Sequence, residues 1–124
     1  MNRRIIYYYT DMLPFLARGQ AAIEKLERNL ALFRDASEEI GLIWHPYSKT
    51  EEYLRRNGSP VLDAYLEILE SYRREGWGIL EETGDLSEAR RSLLSCSGYY
   101  GDVSDLVYEA QAAGIPVMLQ DIDI

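Results

Sequence analysis

The sequence predicts a three-layer α/β domain built on a five-stranded parallel sheet. Three observations carry that expectation. Short β-branched and aromatic runs alternate with longer stretches of helical periodicity, in the order β-α-β-α-β-α-β-α-β. The strand-like runs are apolar almost throughout, the pattern of strands covered on both faces. No repeat, low-complexity segment or linker interrupts the 124 residues, a length that suits a single domain, 1–124.

Each element has its own signal. "RRIIYYYT" (3–10) is β-branched and aromatic and stops at Asp11 and Pro14, which predicts the first strand. Over 19–39, Ile23, Leu26, Leu30 and Phe33 recur at helical spacing. "IGLIWHP" (40–46), closed by a proline, is the second strand. A polar excursion with one helical turn follows. Ser59-Pro60 then has the form of an N-cap with proline at the first helical position, ahead of Leu62, Tyr65, Leu66, Leu69 and Tyr72. Gly76 suits the C-cap of that helix.

"WGILEE" (77–82) is the third strand, and Asp85 the cap of a helix that turns Leu86, Ala89 and Leu93 inward. "GYYGD" (98–102) is a short fourth strand. "SDLVYEAQAAG" is a helix closed by Gly114, and "IPVMLQDIDI" is the last strand.

Composition narrows the function classes. The net charge of -8 argues against nonspecific binding to nucleic acid, which needs a basic face to release counterions. A local anion site built from backbone N–H groups stays compatible with it. Cys96 is the single cysteine, so an internal disulfide or a cysteine-based zinc site is excluded; a buried, inert thiol is expected. No apolar run approaches a membrane span, and the apolar part of "MNRRIIYYYT" is too short for a signal peptide, so a cytoplasmic location is expected. Glu81, Glu82, Asp121 and Asp123 lie at strand ends without metal-ligand spacing, and neither a metal nor a cofactor is called for.

Parallel strands with right-handed crossovers take one of two common orders here, 3-2-1-4-5 or 2-1-3-4-5, and pattern alone leaves both open. In either, ligands sit beyond the carboxyl ends of the strands at the topological switch point. For 3-2-1-4-5 the switch falls between strands one and four. Thr10-Asp11 and Tyr100-Gly101-Asp102 then meet the start of the following helix, where Val103, Ser104 and Asp105 supply N-terminal N–H groups. Gly101 would let backbone come close to a ligand. Neither GxGxxG nor GxxxxGK[ST] is present, and the plainer reading is that Asp102 or Ser104 caps the helix. His45, the only histidine, stands at the end of strand two, where it could serve as a general acid or base.

"LIWHPYSK", "YRREGWGILEETGDLSEA" and "SGYYGDVSDLVYEAQAAGIPVMLQDIDI" together resemble the C-terminal half of the CDP-glycerol glycerophosphotransferase group of GT-B transferases, which includes teichoic-acid polymerase-like proteins. Bacterial variants of that group read roughly W-R-P-H-P after strand two, D-x-S-S after strand four and G-K-P-V-M-I-Q-N at the last strand. The likeness runs from "IIYYYT" onward and is strongest over the last fifty residues.

The resemblance implies a Rossmann-like donor half with strand order 3-2-1-4-5. It implies a nucleotide-activated sugar or glycerol phosphate as ligand, and a second Rossmann half, in cis or in trans, to complete an enzyme. Peripheral membrane association would then belong to the full-length protein. By position, Asp102 and Ser104 match the aspartate and first hydroxyl of D-x-S-S, and Thr83 matches a threonine after strand three. Two departures, one after strand four and one in the loop after strand two, make the site less cationic. Asp105 replaces the second hydroxyl. With the tryptophan and first proline kept in register, His45 stands where the group has arginine, and Tyr47 where it has histidine, with Ser48 in place of the second proline. A shift of the loop would let His45 take the histidine's part.

Three functions compete. The first is a donor-binding half of a glycosyl- or glycerophosphotransferase-like protein, incomplete for catalysis alone, with His45 catalytic and Thr10, Tyr47, Thr83, Gly101, Asp102 and Ser104 binding substrate. The second is a noncatalytic interaction or regulatory domain with a degenerated site. The third is a phospho-receiver domain. That class needs a lysine after strand five, where Gln120-Asp121 stand instead.

Overall fold

A computed structural model describes residues 3–120. The strands are β1 (Arg4–Thr10), β2 (Ile40–Pro46), β3 (Ile79–Leu80), β4 (Gly98–Gly101) and β5 (Val117–Leu119). The helices are α1 (Leu13–Arg18), α2 (Gln20–Asp35), α3 (Thr50–Arg56), α4 (Leu62–Glu75), α5 (Leu86–Leu93) and α6 (Asp105–Ala112). All strand pairs are parallel, in the order β3-β2-β1-β4-β5. The fold is thus Rossmann-like, with the switch point between β1 and β4.

The period-2 alternation of β1 sorts the core into two layers. Tyr8 points to the α2/α4 face, where it joins Leu26, Leu42, Trp44 and Tyr65. Tyr7 and Tyr9 point to the opposite face, where α5 and α6 supply Ala89, Leu93, Leu106 and Ala110. The register Tyr8↔Trp44 and Tyr9↔His45 carries the same division across β2, so His45 lies in the α5/α6 layer. Cys96 is buried in that layer; burial pushes its thiol up to about 11, which keeps it protonated at neutral pH.

Several expected local features are present. Asp85 caps α5, accepting from the amides of Ser87 (2.7 Å) and Glu88 (3.3 Å). Gly76 closes α4 in the left-handed conformation, φ 71°. Between the two capping candidates after β4, the structure assigns the role to Ser104, whose Oγ accepts from the Leu106 amide at 3.2 Å.

Several boundaries differ from the sequence reading, among them the last strand, which within the described residues is confined to Val117–Leu119. The segment after β1 holds α1, because Pro14 falls in the first turn of a helix, where its fixed φ is favourable. The polar excursion is the two-turn α3, whose Glu51–Arg55 and Glu52–Arg56 pairs bridge successive turns. Helix α4 starts at Leu62 rather than Pro60: Ser59 Oγ accepts from the Val61 amide at 3.3 Å, and Ser59-Pro60 forms the turn before the helix. Strand β3 is two residues long, because Trp77 leaves the sheet to pack edge-on against Tyr72, 5.1 Å between ring centres. Burial is also less uniform than the apolar runs suggest. The edge strands expose Ile79 (60 %) and Met118 (67 %).

The parallel pair β1–β4 closes at Gly101, whose φ is 133°. A Cβ there would lie 2.1 Å from the carbonyl oxygen of Tyr9. The close approach that glycine permits is therefore to the neighbouring strand of the chain itself. Gly101→Ala should cost about 3 kcal/mol or more, since both a disallowed φ and a backbone collision must be relieved. Urea denaturation monitored by circular dichroism should show the midpoint falling with little change in slope.

Candidate functional site

Two of the hollows at the carboxyl edge of the sheet, one on each face, take in residues proposed from the sequence. The larger, about 180 Å³, opens on the α5/α6 side. Tyr9, His45, Tyr47 and Ser48 reach it from β1 and β2; Thr83 to Leu86 from the loop after β3; and Ser104 to Leu106 from the start of α6. The loops after β2 and β3 abut here, since a Cβ on Gly84 would stand 3.1 Å from Ser48 Oγ. The smaller hollow, about 20 Å³, lies on the other face beside α1 and α2, with Thr10, Arg18, Lys25, Asp102 and Gln120 in its lining.

Four of the residues proposed from sequence thus share one cavity: His45, Tyr47, Thr83 and Ser104. Thr10 and Asp102 belong to the other hollow. Gly101 is buried and taken up by packing against β1. The separation follows from side-chain alternation, which sends Thr10 to the face of Tyr8 and His45 to the face of Tyr9.

His45 is 6 % exposed, and both ring nitrogens are engaged. Nε2 lies 3.0 Å from the carbonyl oxygen of Thr83, and a carbonyl can only accept, so Nε2 carries the proton. Nδ1 is then the acceptor for the Tyr7 hydroxyl at 2.6 Å. Burial holds the imidazole below its ordinary value, against the opposing influence of the Thr83 hydrogen bond and the Glu81 charge. The neutral ring ties the loop after β3 to the centre of the sheet. To exchange a proton with a ligand it must first release one of these partners.

Tyr99 performs a similar task beside it. Its hydroxyl donates to the Asp102 carbonyl and lies 3.0 Å from Ser104 Oγ. Ser104 is therefore held by Tyr99 while it caps α6. Asp105 and Asp85 add two carboxylates to the cavity, and among its described lining residues there is no lysine or arginine.

Asp102 is buried, and it joins three strand ends. Its Oδ2 accepts from the Asp11 amide at 2.7 Å, and its Oδ1 accepts from Gln120 Nε2 at 2.8 Å. Gln120 Oε1 in turn accepts from Asn29 Nδ2, which also donates to the Tyr8 hydroxyl. Burial raises the Asp102 carboxyl above its ordinary value; the hydrogen bonds from Asp11 and Gln120 oppose the rise. Thr10 is equally internal, its Oγ1 accepting from Trp44 Nε1 at 3.1 Å.

Sequence reasoning missed Asp85 as a cavity residue, and Arg18 and Lys25 as the cations of the smaller hollow. Asp85 was legible as a cap, but its place beside Ser104 depends on how α5 and α6 pack. Of the acidic strand ends, Glu81 accepts from Ser92 Oγ and Glu82 pairs with Arg73 at 2.8 Å. Asp121 and Asp123 lie outside the described residues. Among those described, no three His, Cys, Asp or Glu side chains gather as a metal site, and no helix is long and apolar enough to cross a membrane.

Comparison with known proteins returned no match: no family model, no curated protein and no solved structure.

Two outcomes test this geometry. A histidine whose neutral form is favoured in the folded state contributes stability that is fully present above 6.5, its ordinary value, and is lost as pH falls through that value toward the folded one. Asp102 acts in the opposite sense at lower pH and is common to both proteins compared. Denaturation between pH 7 and pH 5 should therefore show stability falling in the unaltered chain and falling less in His45→Gln. Second, Asp102→Ala should cost about 2 kcal/mol, because it orphans the Asp11 amide and the Gln120 side chain. Asp102→Asn should cost less than about 1 kcal/mol, since Gln120 and Asn29 can reverse their amides and keep every hydrogen bond. Equal losses in the two variants would contradict this network.

Proposed function

We propose that the chain is the donor-side binding module of a transferase-like protein, taking a nucleotide-activated sugar or glycerol phosphate at the carboxyl edge of its sheet. The observation that carries this reading is convergence. His45 and Ser104, singled out by position, and Tyr47 and Thr83, singled out by the resemblance, line a single cavity at the carboxyl edge of the sheet. In open α/β sheets that crevice is where ligands bind.

The geometry also sets limits on what the module does alone. At about 180 Å³ the cavity is smaller than the 300–1,000 Å³, roughly, of a site that encloses a small-molecule ligand. A second wall, from a Rossmann half in cis or in trans, would complete it. With its ring nitrogens held by Tyr7 and Thr83, His45 serves here to position the loop after β3. Catalysis therefore belongs to the assembly with the second half.

One feature favours the alternative, a noncatalytic domain with a degenerated site. Asp85 and Asp105 place two carboxylates where a diphosphate would need cations. Calorimetry and amide-resolved NMR with CDP-glycerol, CMP, UDP and UDP-sugars at millimolar concentration separate the readings. The donor-module reading expects at least one ligand to bind and to shift the amides of Ser48, Gly84 and Ser104. No binding by any of them would overturn it for this chain. The degenerated-site reading expects binding only after Asp105→Ser and Tyr47→His, and falls if the unaltered chain binds equally well.

A further inference from the structure

A hollow larger than the cavity around His45 lies away from the carboxyl edge. It is a groove of about 350 Å³ between α2 and α4, and it shares no residue with the cavity around His45. Its floor is apolar: Ile23 and Leu30 from α2, Ile68 and Tyr72 from α4, and Trp77 at the end of β3's approach. Ala31 and Ala64 also line it; their short side chains leave space where longer ones would fill the gap.

The rim is acidic. Glu27 rises from α2, and Glu67 and Glu75 from α4, all exposed. The one cation in the lining, Arg34, stands 3.8 Å from Asp35. Among the described residues no ion-pair partner meets Glu27, Glu67 or Glu75. The chain as a whole carries -8, which extends the same field beyond the groove.

From the apolar floor and the unneutralised rim we infer that this groove is a docking site for a basic amphipathic helix of a partner protein. An apolar helical face laid between two helices is an established recognition mode, and charges at the rim decide which helices are accepted. The spacing of the rim specifies the partner further. Glu67 and Glu75 are two helical turns apart, about 12 Å along α4. A docked helix running beside α4 therefore presents Lys or Arg seven or eight residues apart on one flank. Leucine-like residues at intervening i+3 and i+4 positions fill the floor. A second copy of this chain fits poorly, because its own net charge repeats the sign of the rim.

The test uses two designed helical peptides with the same leucine face, one flanked by lysines at that spacing and one by glutamates. Titration of the full chain is followed by NMR and by the fluorescence of Trp77, with Trp44 fully buried as the internal reference. The lysine peptide should bind, shift groove amides, and weaken as salt rises. The glutamate peptide should bind at least about tenfold more weakly. In the double variant Glu67→Lys/Glu75→Lys, whose sites are exposed and whose fold is checked by circular dichroism, the preference should reverse. Failure of the lysine peptide to bind at millimolar concentration, equal binding of both peptides, or an unchanged preference in the double variant would overturn the proposal. So would sedimentation showing a dimer that protects the same groove amides. None of these outcomes bears on the nucleotide titrations, which report on the opposite side of the sheet.

Discussion

A core rich in tyrosine must find an internal partner for every hydroxyl it buries, and much of this structure follows from how that requirement is met. Tyr7 donates to His45, Tyr99 to the Asp102 carbonyl, and Tyr72 to the Ile79 carbonyl; Tyr8 accepts from Asn29. Among the described residues no buried side-chain nitrogen or oxygen is left without a partner. Because "YYY" lies on the central strand, its alternating side chains send hydroxyls into both layers. Tyr7 engages His45 of β2, which in turn holds the loop after β3, and Tyr8 engages Asn29 of α2. The polar groups of the core are thus the fasteners of the carboxyl edge.

The two faces of that edge are organised differently. On the α5/α6 side, His45 and Tyr99 hold the loop after β3 and the start of α6 in place, and a shallow cavity remains between them. On the α2/α4 side, Asp102 and Gln120 close the ends of β1, β4 and β5 into a nearly filled network. A ligand entering the first meets hydroxyls, a neutral imidazole and two carboxylates. Asp85 and Asp105 give that cavity an acidic character, since no lysine or arginine stands among its described lining residues.

The fold was legible because its signals are local. Apolar runs bounded by Pro46 or Gly76, the Asp85 cap and the stripe of Ile23, Leu26 and Leu30 all act over a few residues, and each appears where the pattern placed it. Two of the differences share a cause as well. Pro14 marks the stop of the first strand in the sequence pattern and lies in the first turn of α1, and Ser59-Pro60 has the form of a helix start and is the turn before it. Proline has one preferred φ that suits both settings, so the residue alone cannot separate them. The site was legible in part. His45, Tyr47, Thr83 and Ser104 could be placed at strand ends from order alone, but Asp102 reads as a cap by its spacing and is in fact the buried acceptor for Asp11 and Gln120.

By itself the sequence determined the alternation of strands and helices, the parallel sheet, and the set of residues at its carboxyl edge. These depend on periodicity, capping and turn chemistry, which are properties of neighbouring residues. Only the tertiary structure decided that Thr10 and Asp102 lie across the sheet from His45, that Asp85 stands near Ser104, and that α2 and α4 leave a groove between them. Those facts depend on register and on helix packing, where residues far apart in the chain meet. "CSGYYGDVSD" shows the division well. Its Ser104 is a cap for reasons contained in the segment, whereas its Gly101 is needed because β1, ninety residues earlier in the chain, passes against it.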